Sequence, residues 1–448
     1  MSDQEIQIGQ STQFSVNELV IVTKAGKIDI TSIFEEINIF DSIFLPVMNG
    51  SVLIKDAIGL SGKLFFDGSE SLLIDISKDS NSDIASFKKA FRIIKQGERT
   101  AGKTSSETYL LHFASDELTY SDRQRINQNY NGTYSYAVQK IMENYLKIPA
   151  GELGGIYEES CGIRDFPIPN LRPLEALEWI AKRAVDINQA PNFMFFQNSV
   201  GYNFASLSTL LTQDDLLDIT FQPKNLKGNN PFSELGSARA FEVVSQSDSF
   251  KKQRDGVNAG KFLGFDPITR QIAKKEISFG DISDTMKKAN DNLDFSEIFD
   301  RDGVPNTQAF DSKKTVSIFS AAQKLSNYIK KMDPTSISKV DNIEDYLFQR
   351  KSIISNLMAK RIKIVMAGNF QLTSGFNVNV IAPSKGIKEE GDDNDDPSIS
   401  GKYLIVASRH IIGFDKHETI IEVASTSTNN EFIPTSNPEQ TKELLEYI

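Results

Sequence analysis

In the first 118 residues, short runs of β-branched and aromatic residues alternate with polar ones, and Gly, Asp, Asn and Ser clusters cut them apart. "VNELVIVTKAGKIDIT" places Leu19 and Ile21, then Ile28 and Ile30, two residues apart on either side of a turn at Lys24-Ala25-Gly26. "EEINIFDSIFLPVMNGSVLIKD", "ESLLIDIS", "KAFRIIKQ" and "ETYLLHFASDEL" obey the same rule. A period of two with one wetted face suits strands and leaves no room for an amphipathic helix. Several such strands at close spacing predict a small antiparallel barrel or sandwich. Pro46 has no N–H for a ladder, so it is expected at an edge or a bulge.

The period changes near Tyr120. "SYAVQKIMENYL" puts Val138, Ile141, Met142 and Tyr145 on one helical face, and "NLRPLEALEWIAKRAV" does the same with Leu174, Leu177, Ala181 and Ala184. Pro173 fits the first turn of that second helix. "NFMFFQNSVGYNFASL" then reads as two aromatic strands about an Asn-Ser-Val-Gly turn. Strands resume near Arg239 and again from "IKIVMAGNFQL" to "ETIIEVASTS". Between them lies a polar, partly helical stretch, in which Ile318, Ala322, Leu325 and Ile329 share a helical register. "NIEDYLFQRKSIISNLMAKR" reads as a further helix, with Asn342 placed to cap it. The expected fold is a β-rich α+β chain with two small antiparallel β-barrel domains, at 1–118 and 237–448. A mixed α+β domain at 119–236 separates them, and a polar, helical insertion at about 280–340 interrupts the second.

Composition excludes several functions. No apolar run is long enough to span a membrane, so no membrane anchor is expected. The opening "MSDQEIQIGQSTQF" lacks the basic and apolar regions of a signal peptide. A net charge of −11 disfavours a protein that wraps nucleic acid. The single cysteine, Cys161, cannot form an internal disulfide and reads as a small core residue.

The chemical motifs fail one by one. "GERTAGKT", Gly97 to Thr104, satisfies the P-loop spacing, which needs a strand before it and a helix after it. The residues beyond Thr104 are "SSETYLLHFASDEL", alternating through Tyr109, Leu111 and Phe113. The motif therefore reads as a β-hairpin tip with Gly97 and Gly102 in turn conformations, and the nucleotide-splitting reading becomes the lesser alternative. In "EEGDDNDDPS", a calcium loop from Asp392 would need Gly and Glu where Pro397 and Tyr403 stand, so the run reads as a solvated connection. "HETII" lacks the second histidine of a zinc-protease helix, and His112 and His410 sit in strand-like runs. "NGT" at Asn131 fits a glycosylation sequon without a secretory signal to support its use. No catalytic, cofactor or metal residue is assigned, and the chain reads as a non-enzyme without cofactors.

The order of segments carries a resemblance. "IDITSIFEEINIFDSIFLPVMNGSVLIKDAIGL", with a strand, an F-x-P bend and a Gly-led strand, resembles the opening of phage baseplate hub subunits. "ARAFEVVSQSDSFKKQRDGVNAGKFLGFDPITRQIAKKEISF" is similar to the start of their second barrel. "AGNFQLTSGFNVNVIAP" and then "GKYLIVASRHIIGFDKHETIIEVAST" resemble the closing strands of the central hub of T-even-type contractile phages, related to the spike base of contractile injection systems. "LRPLEALEWIAKRAVD" and "NFMFFQ" fall where that family has its middle domain. The likeness is strongest from Lys363 to Ser427, and does not extend through Gly280–Ser338 or Glu389–Ser398.

This resemblance implies a virion structural protein of the tail baseplate, assembled in the bacterial host cytoplasm. It implies a homotrimer whose paired barrels form a pseudo-sixfold ring between the sixfold tail tube, or tube-initiator proteins, and the threefold central spike. Wedge proteins would surround the ring, and DNA would pass through its lumen without sequence-specific binding. Phe40, Phe44, Pro46 and Val47 are candidates for barrel core or subunit contact. Gly368 and Gly375 are candidates for turns or close backbone approach, and Asn369 for capping a bend. A host-surface or carbohydrate-binding tail module is the non-enzymatic alternative.

Overall fold

The computed structural model describes residues 14–63, 67–78, 86–101, 106–148, 153–188, 190–221, 236–245, 259–266, 271–278, 292–293, 317–321, 343–383, 395–396 and 398–428. The first β region forms β1 (Phe14–Thr23), β2 (Gly26–Asp29), β3 (Phe34–Ser42), β4 (Asn49–Asp56), β5 (Ser71–Lys78), β6 (Phe87–Ala101) and β7 (Glu107–Ala114). They pair antiparallel in the order β2-β1-β5-β6-β7-β4-β3. Leu19, Ile21, Ile37, Ile39, Val52, Ile54, Leu72, Ile74, Phe91 and Leu111 point to one side and form a single core. Each such side chain contributes roughly 1.5–3 kcal/mol on burial, which the alternation secures for every second residue.

The hairpin of β6 and β7 contains the P-loop-like segment. Gly97 to Ala101 lie in β6, residues 102–105 lie outside the described residues, and β7 returns antiparallel from Glu107. A strand thus stands where a phosphate-binding loop requires a helix. The left-handed residue is Glu98, at φ 52°, inside a register shift between Gly97 and Thr100. The strain falls on a bulge. Gly97 is not the left-handed residue, and Gly102 lies outside the described residues.

A short helix, α1 (Leu60–Lys63), lies within the first β region; the middle segment opens with α2 (Glu117–Asp122), β8 (Asn129–Gly132) and α3 (Tyr134–Ile141). α3 continues into a π-helical turn, Met142–Leu146. Next come β9 (Gly154–Tyr157), β10 (Arg164–Pro167), α4 (Pro173–Ala181), β11 (Phe193–Gln197), β12 (Tyr202–Ser206) and α5 (Leu207–Leu211). Pro173 does open α4, and the Glu175 carboxylate accepts a bond from the Arg172 backbone N–H at 3.0 Å. Val138, Ile141, Met142, Leu174, Leu177, Ala181 and Ala184 share one core with Phe166 and Phe204. Cys161, expected in a core, is only half-buried, because it lies in the connection between β9 and β10.

The second β region closes on itself. β13 (Asp215–Phe221) and β14 (Ser237–Ser245) precede β15 (Ala259–Asp266), β16 (Gln271–Ser278), β17 (Asn292–Leu293) and β18 (Ser317–Ala321). α6 (Ile343–Leu357), β19 (Lys360–Ala367), β20 (Asn377–Ile381), β21 (Gly401–Ile412), β22 (His417–Ser425) and β23 (Ser427–Thr428) complete the order. The ladder β21-β20-β13-β14-β19-β22 returns to β21, giving a six-stranded barrel around Ile362, Ile364, Val378, Val380, Tyr403, Ile405, Ile421 and Val423. β13, from within 119–236, is one of its staves.

β21 joins the two β regions. Its Gly401–Leu404 edge pairs with β20, and after a bulge at Ile405/Ala407 the same edge pairs with β3 from Ala407 to Ile412. One strand thereby passes between barrel and sheet, as bulged strands do at corners. In the insertion, Ser317–Ala321 is a strand parallel to β15, where helix was expected. The run Ser-Ile-Phe-Ser-Ala is short and carries β-branched and aromatic residues, so partner pairing overrides the helical register. Ala322, Leu325, Ile329, the helix cap Asn342 and most of the acidic run at 389–398 lie outside the described residues.

Candidate functional site

The chain buries its polar chemistry where the sheet, the middle segment and the barrel meet. Asp41, near the end of β3, is 2% exposed. Its Oδ2 accepts from Thr373 Oγ1 at 2.9 Å and Ser408 Oγ at 2.6 Å, and its Oδ1 from the Ser374 N–H at 2.7 Å. Burial pushes the carboxyl upward in pKa, while the bonds from Ser408, Ser374 and Thr373 pull against that shift.

The loop that serves Asp41 is itself held by the middle segment. Asn198 Nδ2 donates to the Ser374 carbonyl at 2.8 Å, and the Ser199 N–H to Thr373 Oγ1 at 3.2 Å. Gln213 Nε2 donates to the Gly375 carbonyl at 2.9 Å, and Asn377 Nδ2 to the carbonyls of Leu210 and Gln213 at 2.8 and 3.0 Å. Gln197 Oε1 accepts from the Met48 N–H and from Ser115 Oγ, at 2.9 and 2.6 Å, tying β11 to the first sheet. Buried or partly buried, such bonds fix orientation because leaving a buried donor unmet is costly.

A second contact is aromatic. The Phe370 ring lies 5.1 Å from Phe87, 4.9 Å from His410 and 4.6 Å from His417, so β6 meets the barrel through it. His410 Nδ1 pairs with Thr419 Oγ1 at 3.1 Å, and burial pushes its pKa down to about 3. The ring is therefore neutral near pH 7 and serves as packing.

The sequence candidates fall around this junction. A Cβ on Gly368 would stand 2.0 Å from His417 Cγ, so only glycine admits the ring there. Gly375 adopts φ +92°, and a Cβ there would meet Phe196 Cζ at 2.6 Å. Asn369 Oδ1 accepts from the Gln371 N–H at 3.0 Å, and its own N–H donates to Thr419 Oγ1 at 2.9 Å. Val47 is buried in the middle core. Phe40 is half-buried beneath the Arg409 guanidinium, 5.4 Å from the ring centre, and Phe44 is 40% exposed. Pro46 lies in the β3–β4 connection, outside any ladder, and not at the expected edge or bulge; a loop needs no donor from it either.

Asp41, Thr373, Ser374, Asn198 and Gln197 were not legible as a cluster. Their only signal is an acid, hydroxyls and amides at ends of apolar runs. Among the described residues no group of three or more His, Cys, Asp or Glu side chains is placed to hold a metal ion. No described helix is long and apolar enough to cross a membrane. The arrangement joins modules: the hydroxyls of Thr373 and Ser408 are spent on the buried Asp41 carboxyl.

No protein-family model matches the chain. Over 397 residues it is 21% identical to a probable baseplate hub protein, gp334, of the Vibrio phage KVP40, covering 86% of this chain and 88% of the relative. Its fold matches a tail protein from Neisseria meningitidis MC58 with a TM-score of 0.50 and 12% identity, over 91% of this chain and 96% of that one. The 43 kDa tail protein of prophage MuSo2 from Shewanella oneidensis gives a TM-score of 0.48 and 9% identity, over 92% and 99% of the two chains. In sequence over most of its length the chain is similar to a probable phage baseplate hub protein, and in fold over nearly all of it to a tail protein.

Proposed function

We propose that this chain is a structural subunit of a phage baseplate hub, forming a homotrimeric ring between the tail tube and the central spike. The observation that carries this reading is the near end-to-end likeness to a probable hub protein. The joined sheet and barrel support it, since one chain then supplies two β modules to a ring. So do two unlike edges. Among the described residues β14 pairs with β13 only through Ser237 and Ala238, while its other side runs along β19 to Ser245. Val243 and Val244 on that strand are 39% and 44% exposed. At the far end of the sheet, among the described residues, β2 pairs only with β1. Two different edges favour head-to-tail association, which closes into rings. The net charge of −11 suits a conduit that DNA traverses without sticking.

The test is the solution mass of the purified chain by light scattering, at low salt and micromolar concentration. Three copies of a 50.0 kDa chain give 150 kDa, and that mass supports the ring. A monomer both alone and with the spike protein added overturns it.

A further inference from the structure

A cleft of about 480 Å³ opens between the turn that enters β3 and the hairpin joining β21 to β22. Phe34, Glu36, Lys55, Phe414, Asp415 and Lys416 are among the residues that line it. Phe414 is 64% exposed, yet its ring stacks on the buried Phe34 at 4.8 Å and 21°. One aromatic face is thus held in place by the core while the other meets solvent.

The charges around this face are unequally satisfied. Lys55 pairs with Glu35 at 3.5 Å, and Lys416 with Glu418 at 2.8 Å. The Arg409 guanidinium is engaged by Asn38 Oδ1 at 2.9 and 2.8 Å. Asn38 in turn donates to Glu36 Oε1 at 2.7 Å. Each of these cations is occupied, whereas among the described residues Glu36 and Asp415 have no cation of their own. A fixed aromatic face beside carboxylates without cations is complementary to a planar cation, which can stack on the ring and fork onto oxygen.

We propose that this cleft is a docking site for an arginine carried on an exposed segment of a neighbouring protein. Arginine fits better than lysine because the guanidinium can stack and hydrogen-bond at once. The proposal is independent of the trimer, since the cleft lies within one chain.

The probe is a fluorescein-labelled tetra-arginine peptide, titrated by anisotropy into the full chain, with tetra-lysine as comparator. The expected result is tighter binding of tetra-arginine than of tetra-lysine. Phe414→Ala should weaken it about fivefold and abolish the arginine preference, consistent with an exposed cation–π contact. Asp415→Asn should weaken both peptides. The side chains are exposed, so matched melting curves serve as the folding control. Equal affinity of Phe414→Ala and the unaltered chain would place the peptide elsewhere on an acidic surface and overturn the proposal, as would no binding of tetra-arginine at millimolar peptide.

Discussion

Replacing Asp41 by alanine tests whether one buried carboxylate organises the junction. The substitution removes the acceptor for Thr373 Oγ1, Ser408 Oγ and the Ser374 N–H together. The two hydroxyls can rotate toward other acceptors, losing about 1 kcal/mol each, but the backbone N–H cannot turn and is orphaned at roughly 1–3 kcal/mol. Asp41→Ala should therefore lose about 3–5 kcal/mol. Asp41→Asn keeps one oxygen for the Ser374 N–H, and its amide can donate to hydroxyls that reorient, so about 1–2 kcal/mol is expected. The assay is urea unfolding of both variants at pH 7, monitored by tryptophan fluorescence and far-ultraviolet circular dichroism. Burial raises the carboxyl's pKa in the folded chain, so its titration favours folding below its unfolded pKa and loses that contribution as pH rises through the folded value. Asp41→Asn should remove that pH dependence. A loss below about 1 kcal/mol for Asp41→Ala would refute the reasoning, because a buried donor must then be satisfied without it.

Gly368→Ala should cost about 1–3 kcal/mol through overpacking against His417, read as a lower urea midpoint, and Gly375→Ala should add left-handed backbone strain to its clash with Phe196. His410, with its pKa held near 3 in the folded chain against about 6.5 when unfolded, keeps its full contribution above pH 6.5. That contribution falls by up to about 1.4 kcal/mol per unit as pH drops from 6.5 toward 3, and His410→Gln should flatten the slope in urea unfolding at pH 7, 5 and 4. Val244→Lys on β14, where the residue is 44% exposed among the described residues, should lower the light-scattering mass while the far-ultraviolet circular dichroism at pH 7 stays unchanged.

The strands of the first region, the β11–β12 hairpin and the start of α4 at Pro173 were legible because each rests on neighbours in sequence. The same holds for the hairpin at "GERTAGKT", where alternation beyond Thr104 argued against a helix. Ser317–Ala321 was misread because a helical spacing of apolar residues persisted across a run that a distant strand recruits. Gly368 and Gly375 could be singled out, but the rings that require them, His417 and Phe196, could not.

Sequence alone determined which faces are apolar and where the chain turns in the first β region, the β11–β12 hairpin and α4. Local periodicity carries that information, since a face must be buried whatever covers it. Tertiary structure alone decided what covers each face. The Ser408–Asp41 bond spans 367 residues, β13 leaves its neighbours to complete a barrel, and Val47 enters the core of the middle segment. Such pairings depend on register and shape between distant strands, and a hydrophobic pattern specifies neither the partner nor its distance along the chain.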